Sequence, residues 1–405
     1  MNPEETLLLR ATRCLAFGSA VAILFSIAAS QILLGLALAA LMLSGEQLRM
    51  PRIWLPLSLF ILGTLIALAF SGDPTAGLPQ VRKIFLFGEL LIVFSLLRST
   101  TWIRSLFLTW AGFAGITGAR GIVQFVQKVQ AAHQAGSDSY SFYVGERITG
   151  FMSHWNTFSA QEMFALIMLA SFLFFAPVDR KRLWVWIGCT ALMAVALLLA
   201  ETRAVWIGTA LAMLYLIWFW RRWLVALTPV VVVLVYVLSP PVIRVRFDSL
   251  LRPRAVDSNA FRVVTWRTGL HMIEAHPWLG LGPEEPRIQF DQWVPADIPR
   301  PLPAGSYIHL HNLYLQYAAE RGIPTTLFMM WMLGQIVFDY WRGLRALPPG
   351  PSNRKFLLHG GIAVLLATLA EGMAEYNLGD SEVLTMFLVV VACGYLALEK
   401  DVVKG

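Results

Sequence analysis

The run "LVALTPVVVVLVYVLSPP", from Leu224 to Pro241, decides the class of fold. It carries no charged residue, and as a helix it would cross most of a bilayer's hydrocarbon core, which is about 30 Å thick. Pro240 and Pro241 end it, because proline cannot extend a helix. The whole chain is 57% hydrophobic and only 14% charged, whereas soluble domains are about 25% charged. We therefore interpret the chain as an all-α integral membrane protein.

Apolar runs long enough to span a membrane recur along the chain. We predict twelve spans, near residues 14–29, 31–44, 53–70, 84–97, 103–126, 157–176, 183–200, 204–220, 223–239, 312–338, 356–375 and 383–399. The first two share one apolar stretch, so eleven spans are an alternative. No basic segment with a small-residue cleavage site precedes the first run, and we expect a retained signal anchor. Spans one to nine then occupy residues 1–239, a long loop occupies 240–311, and spans ten to twelve occupy 312–405.

Positive charge alternates between the loops and predicts the orientation of the chain, whose net charge is +7. One set of loops is rich in basic residues: Arg10, Arg13, Arg49, Arg52, Arg98, Arg104, Arg180, Lys181, Arg182, Arg221, Arg222, Arg342, Arg345, Arg354, Lys355, Lys400 and Lys404. The short loops of the other set hold only Arg82, Lys83, Lys128, Arg147 and Arg203. Because basic loops stay in the cytoplasm, both termini are predicted to be cytoplasmic and the long loop between spans nine and ten external.

The external loop contains one clear helical pattern, "SNAFRVVTWRTGLHMIEAHP", which we expect Asp257 or Ser258 to cap and Pro277 to end. Arg262 and Arg267 lie on this helix, five residues apart. At about 100° per residue they point about 140° away from each other, so only one is expected to face a given site. We choose Arg262, and Arg267 competes with it.

The stretch "YIHLHNLYLQYAAERGIP", from Tyr307 to Pro324, places two histidines where the tenth span begins. Polar groups at membrane depth are expensive and point to function. Histidine titrates near neutral pH, so His311 is predicted to be a catalytic proton acceptor, with His309 as a weaker candidate. The alternative is an interfacial histidine beside a helix cap at Asn312.

Arginines near the outer boundary form a candidate anion site. In "LLLAETRAVWIG", Arg203 stands between two spans, and a guanidinium holds phosphate with paired hydrogen bonds. Arg147, in the short external loop of "VGERITGFMSHWNTFSA", is a further candidate. For Arg203, the alternative is an arginine that reaches the membrane surface or pairs with Glu201.

Further polar residues, Asn312 among them, are supporting candidates. Arg120, inside span five, is expected either to line a cavity or to pair with Glu162 or Glu371. Asp380 and Glu382, in "EYNLGDSEV", are expected to contact a sugar hydroxyl, or equally to form a capped turn.

Several kinds of chemistry have no sequence motif in this chain. It has no Walker loop, no Gly-x-Ser-x-Gly and no Cys/His metal spacing, so we expect no metal, no cofactor and no nucleic-acid partner. The cysteines Cys14, Cys189 and Cys393 lie in or beside apolar runs and imply no disulfide framework. An external site also lacks ATP, so a transfer reaction would need a donor already in the membrane.

Three segments carry a resemblance to a known family: "ETRAVWIG", "FRVVTWRTGLHMIEAHPWLGLGP" and "HNLYLQYAAERGIP". In this order they resemble the O-antigen ligase and polymerase family, over about residues 140–340 and elsewhere by topology. The resemblance implies a C-type glycosyltransferase-like fold in the bacterial inner membrane, with its site facing the periplasm. The implied partners are undecaprenyl-diphosphate-linked O-antigen as donor, lipid A–core as acceptor and membrane lipids. The family's two essential arginines and its histidine correspond to Arg203, Arg262 and His311.

The resemblance favours an O-antigen ligase that works without a metal and inverts the anomeric carbon. The first alternative is an O-antigen polymerase that uses the same donor. An alternative of another class is a transporter or flippase with a path along Arg120, Glu162 and Glu371. A further alternative is a peptidoglycan-polymerase-like enzyme with Asp248 or Asp257 as its catalytic carboxylate.

Overall fold

The structure, a computed structural model, describes residues 7–251 and 259–399. Helices and the segments that connect them make up this part of the chain, which contains no β-strand. Seven helical segments within it are long and apolar enough to cross a membrane. The prediction of an all-α integral membrane protein is therefore confirmed, while the count of twelve spans stays a prediction.

The apolar stretch near the N-terminus forms two separate helices. The helices of the N-terminal part of the chain are α1 (Leu7–Ala22), α2 (Ile27–Ser44), α3 (Trp54–Ala69), α4 (Pro74–Arg82), α5 (Gly88–Leu96), α6 (Thr100–Gln134) and α7 (Ser139–Gly145). The apolar stretch shared by the first two predicted spans breaks before α2, where the Ser26 hydroxyl accepts a hydrogen bond from the backbone N–H of Ala29. Such a cap satisfies a donor that the first helical turn leaves free. The two helices then pack against each other.

The middle of the chain forms α8 (Trp155–Phe175), α9 (Leu183–Leu199), α10 (Arg203–Arg221), α11 (Thr228–Leu238) and α12 (Pro241–Leu251). The run Leu224–Pro241 contains α11, which stops at Leu238 before the two prolines, as predicted. Pro241 does more than end a helix, because it is also the first residue of α12. Proline suits that position, where a helix has no partner for a backbone N–H.

The external segment and the last membrane helices complete the fold. They are α13 (Asn259–Ala275), α14 (Glu285–Ile288), α15 (Phe290–Trp293), α16 (Leu313–Arg345), α17 (Asn353–Gly372) and α18 (Ser381–Leu398). The predicted loop helix is α13, and it ends before Pro277 as expected. Its predicted caps, Asp257 and Ser258, lie outside the described residues.

Helix α16 is broken at Gly322, where the backbone has a φ of 77° and leaves helical geometry. The break exposes backbone groups to the external segment. The Leu281 N–H donates to the Ala319 carbonyl at 2.8 Å, and the Ile323 N–H donates to the Pro277 carbonyl at 2.8 Å. The external segment is therefore bonded to a membrane helix through its backbone.

The core of the bundle is built around α17, which packs against α8, α10, α16 and α18. Most residues of α8, α17 and α18 are buried. Helices at the periphery instead leave large apolar side chains exposed, such as Val231 and Leu238 of α11. An apolar surface of this extent suits lipid rather than water.

The two ends of the bundle differ. At one end, Arg49 pairs with Glu399 at 2.5 Å. The basic segment Arg180–Arg182 lies at the same end, where Arg182 and Asn353 line one cavity and Arg354 donates to the Ala397 carbonyl. At the other end, α8, α10, α16 and α18 begin and α17 finishes, and the external segment covers them. The site described next lies at this second end.

Candidate functional site

A cavity of about 410 Å³ opens at the covered end of the bundle. Basic and imidazole side chains dominate its wall: Arg147, His154, Arg203, Arg246, Arg262, His309 and His311. Glu375, which follows α17, adds a carboxylate. We call this space the basic cavity. It brings together residues that are far apart in the chain, including Arg203, Arg262, Arg147 and His311, which the sequence patterns had selected.

Arg147 is a buried arginine in the wall of the basic cavity. It is 8% exposed, and within the described residues its guanidinium makes no ion pair and no hydrogen bond. Its carbon Cζ lies 5.0 Å from the centre of the Trp155 ring. Burial, and then the charge of Arg246, lower the pKa of Arg147 to about 10. The side chain is still a cation at neutral pH, and a buried cation is costly unless an anion joins it.

Arg203 is the first residue of α10 and holds two neighbouring elements. Its Nη1 donates to the carbonyl of Ser249 at 3.2 Å, and its Nη2 donates to Oδ1 of Asn259 at 2.7 Å. Ser249 belongs to α12 and Asn259 begins α13, so one guanidinium joins both sides of residues 252–258. This position also places Arg203 on the wall of the basic cavity.

Arg246 is a cavity residue that the sequence patterns did not select. It is almost completely buried, and its Nε donates to the Glu201 carbonyl at 3.1 Å. Its Nη1 donates to the Tyr140 hydroxyl at 3.2 Å. The only local signal was a basic pair, Arg244 and Arg246, directly after the membrane boundary.

The two arginines of α13 face different surroundings, as the helical spacing predicts. Arg262 points into the basic cavity and forms an ion pair with Glu375. Its Nε is buried and has no hydrogen-bond partner among the described residues. Arg267 is outside the cavity and pairs with the exposed Asp297 at 2.8 Å. The geometry therefore favours Arg262, while the function of either residue stays a prediction.

His311 is held between two acceptors. Its Nδ1 lies 3.2 Å from Oε2 of Glu375, and its Nε2 lies 3.0 Å from the carbonyl oxygen of Ser306. A neutral imidazole carries one N–H and can donate to only one of them. Its backbone has a φ of 48°, a left-handed conformation in which histidine is enriched among residues other than glycine. Phe261 packs edge-on against the ring, with 5.0 Å between ring centres.

Glu375 is the second cavity residue that the sequence patterns missed. It was assigned to the end of span eleven, and its partners, Arg262 and His311, are distant in the chain. Burial raises its pKa, but the hydrogen bond with His311 and the charge of Arg262 outweigh burial and bring the pKa of Glu375 to about 2. The carboxylate is therefore ionised under ordinary conditions.

Two more histidines line the basic cavity in their neutral form. His309 accepts a hydrogen bond at Nδ1 from the backbone N–H of His311, at 3.2 Å. Burial, and then the neighbouring His311, lower the pKa of His309 to about 3. His154 caps α8 by accepting from the Asn156 N–H, and burial lowers its pKa as well.

Two helix N-termini open into the basic cavity. Trp155 and Asn156 of α8 line it, as do Arg203 and Ala204 of α10. The α10 terminus has no side-chain cap at Thr202. The partial positive charge of a helix N-terminus attracts anions, and it adds to the charge of the guanidinium groups.

Asn312 and Arg120 have structural contacts away from the basic cavity. Asn312 caps α16, with its Oδ1 accepting from the backbone N–H of Tyr314 at 3.0 Å. Arg120 donates to the Gly150 carbonyl at 2.9 Å. It pairs with neither Glu162 nor Glu371, so that expectation was wrong.

Asp380 lies in a neighbouring space. It occupies the cap position of α18 but makes no side-chain cap hydrogen bond, which argues against the capped turn. Its Oδ2 instead accepts from the Thr157 hydroxyl at 2.9 Å. Burial raises the pKa of Asp380.

Among the cavities that adjoin the basic cavity, two have walls of different character. One, of about 390 Å³, shares Arg203, Ala204 and Arg262 with it and is otherwise mostly apolar, with Ile207 and Val263 in its wall. We call it the apolar cavity. The other, of about 350 Å³, contains Asp380 and shares the histidine side of the wall. We call it the acidic cavity.

The arrangement can bind an anion and accept a proton. Four guanidinium groups and two helix N-termini supply positive charge, and the His311–Glu375 pair supplies an oriented imidazole. In the described parts of the chain, no three His, Cys, Asp or Glu side chains are grouped as metal ligands would be. The positive charge in the wall of the basic cavity is that of the arginines and helix termini.

Comparison with known proteins identifies one region of the chain. Residues 188–330 match the family model described as O-Antigen ligase. This region contains Arg203, Arg246, Arg262 and His311. No curated protein matches the chain. The predicted resemblance to the O-antigen ligase and polymerase family is therefore confirmed.

Proposed function

We propose that this protein is a glycosyltransferase that joins a glycan carried on undecaprenyl diphosphate to lipid A–core, at the periplasmic face of the bacterial inner membrane. The reaction is inverting and uses no metal. The observation that carries the proposal is the basic cavity, where four arginines surround a histidine that is oriented by a buried carboxylate. The family match over residues 188–330 supports the same class of reaction.

The arginines act on the leaving group. When the bond between the anomeric carbon and the diphosphate oxygen breaks, its electron pair stays on the diphosphate. Arg203 and Arg262 bind this developing charge, together with Arg147, whose buried Nε has no hydrogen-bond partner among the described residues. Charge stabilisation by fixed donors in a site of low polarity is commonly the largest contribution to catalysis.

His311 acts on the acceptor. Glu375 takes the N–H at Nδ1, which leaves the lone pair of the imidazole on Nε2. Nε2 faces the Ser306 carbonyl in the structure, so an acceptor hydroxyl must take the place of that carbonyl. The hydroxyl oxygen then bonds to the anomeric carbon opposite the diphosphate, and its proton moves to Nε2.

The orientation of the molecule follows from its two ends. The end with Arg49 and the segment Arg180–Arg182 faces the cytoplasm in this proposal, together with both termini, because basic segments stay there. The basic cavity at the other end then faces the periplasm. The apolar cavity gives the polyprenyl chain of the donor a way in from the lipid.

A reconstituted reaction tests the proposal and separates ligase from polymerase. Purified full-length protein in nanodiscs is given undecaprenyl-diphosphate-linked glycan and either lipid A–core or a second lipid-linked glycan. A ligase extends only lipid A–core, whereas a polymerase extends the lipid-linked glycan. Movement of labelled donor across a vesicle membrane without any transfer would instead favour the transporter.

A further inference from the structure

The acidic cavity continues the basic cavity past the histidines. His154, Asn156, His309 and Glu375 line both, so a molecule in one can extend into the other. The apolar cavity borders the basic cavity on a different side, and its described wall has no residue in common with that of the acidic cavity. The three spaces therefore follow one another in the order apolar, basic, acidic.

The wall of the acidic cavity is rich in hydrogen-bonding groups. It includes the carboxylates of Asp380 and Glu382 and the hydroxyl of Thr157. Lys83 is a nearby cation, and its Nζ donates to the Gly379 carbonyl at 2.6 Å. Carboxylates beside hydroxyls can accept and donate several hydrogen bonds to a polar, uncharged molecule.

Glu382 is the group in this wall that points to a ligand. The residue is 7% exposed, and within the described residues its carboxylate makes no hydrogen bond to another residue. Asp380, by contrast, already accepts from Thr157. The backbone N–H of Glu382 itself is the donor to the Glu382 carboxylate among the described residues. A carboxylate has about four acceptor sites, so a ligand hydroxyl can still donate to Glu382.

We propose that the acidic cavity binds the sugar of the acceptor that receives the glycan, and that it takes a neutral, hydroxyl-rich sugar in preference to an acidic one. This proposal rests on the proposed function. An inverting displacement places the nucleophile opposite the leaving diphosphate, and the acidic cavity lies beyond His311 and His309 from the apolar cavity. The carboxylates of Asp380 and Glu382 accept hydrogen bonds from sugar hydroxyls, and they repel a uronic acid or a phosphorylated sugar.

Ligand binding tests this proposal without a need for turnover. The neutral probes are methyl glucoside, methyl galactoside and methyl N-acetylglucosaminide. Methyl glucuronide is the acidic counterpart of methyl glucoside. Binding to full-length protein in nanodiscs is followed by saturation-transfer NMR. At least one neutral glycoside is expected to bind about tenfold more tightly than the glucuronide, a difference of about 1.4 kcal/mol.

Two variants locate the binding site. Glu382→Gln keeps the shape of the side chain and removes its charge. It is expected to weaken binding of the neutral glycoside, and to reduce the protein's preference for that glycoside over the glucuronide to about threefold or less. Glu274→Gln, at an exposed position of α13, is the matched control and should change neither value. The proposal is overturned if no neutral glycoside binds, if the glucuronide binds equally well, or if Glu382→Gln leaves both values unchanged.

A second measurement separates this inference from the proposed function. Inorganic pyrophosphate is titrated into the same protein, with binding to the basic cavity as the readout. Pyrophosphate binding and glycan transfer without neutral-glycoside binding would reject the acidic cavity and leave the proposed function intact. Neutral-glycoside binding that depends on Glu382, without any glycan transfer, would reject the proposed function instead.

Discussion

Glu375 joins His311 to Arg262. One oxygen of the carboxylate lies 3.2 Å from Nδ1 of His311, and the other is paired with the guanidinium of Arg262. The proposed proton acceptor and a proposed diphosphate-binding residue therefore share one buried anion. A change in His311 or in Arg262 therefore alters the electrostatic environment of the other residue.

Replacement of His311 by asparagine should abolish transfer while the fold is kept. Asparagine tolerates the left-handed backbone at this position but cannot accept the proton. We expect transfer to fall by about 10²–10⁴-fold, the usual contribution of a general base. The assay is glycan transfer by purified protein with a lipid-linked donor. His271→Asn, in the same external segment but outside the cavity, should stay near wild type, and equal losses in both variants would refute the assignment.

Glu375→Gln should lower both activity and stability. The amide keeps the size of the side chain but leaves Arg262 without its ionic partner. Breaking a buried pair in this way costs about 3–5 kcal/mol, and the imidazole loses the group that orients it. The melting temperature and the transfer rate should fall together. An unchanged melting temperature would show that the pair is not formed in the membrane.

Arg147→Gln should have opposite effects on stability and activity. The variant removes a buried cation that makes no ion pair in the described residues, so the ligand-free protein should melt about 2 °C higher or more. Transfer should drop at least tenfold, because the diphosphate loses a donor. Arg300→Gln is the control, since Arg300 is exposed and paired with Asp291. A lower melting temperature for Arg147→Gln would mean that the guanidinium is satisfied within the protein.

Acid should destabilise the protein through His309. Its pKa is about 3 in the folded protein and 6.5 in an unperturbed histidine. Between these values the unfolded chain binds a proton that the folded protein does not, so the free energy of unfolding falls as the pH drops below about 6.5. Above that pH the contribution is complete. Between pH 7 and pH 5 the melting temperature of His309→Asn should fall less than that of the wild type. Equal falls would contradict the assignment of His309 as neutral in the folded protein.

The two functions of Arg203 can be separated by changing its partner. Asn259→Ala removes a hydrogen bond to the guanidinium but leaves its charge in the cavity. We expect a transfer loss of less than about tenfold for this variant, since the guanidinium keeps its charge and its hydrogen bond to the Ser249 carbonyl. Arg203→Gln should lose at least about a hundredfold. Equal losses would indicate that Arg203 acts only by holding α12 and α13.

Much of the fold could be predicted from local patterns in the sequence. The prolines after Leu238 and the proline after α13 end helices where expected, because their effect on the backbone does not depend on distant residues. The separation of α1 from α2 was harder to see. It depends on Ser26, a small polar residue inside an apolar stretch, whose capping bond is favourable only once the chain turns there.

Only part of the candidate site could be predicted from local sequence patterns. Helical spacing separated Arg262 from Arg267, because the direction of a side chain on a helix is a local property. The spacing did not reveal Glu375, whose ionised state depends on two residues from distant segments. Arg246 was missed for the same reason, since its partners Tyr140 and Glu201 meet it only in the folded bundle.

The interruption of α16 has a mechanical consequence. Because the external segment is bonded to the helix on both sides of Gly322, we expect that segment and the helix end beside His311 to move together. A thinner or thicker bilayer that tilts α16 then shifts the imidazole relative to Arg147, which belongs to another part of the bundle. We therefore expect the transfer rate to depend on the acyl-chain length of the host lipid. Reconstitution in short-chain and long-chain phospholipids would measure this dependence.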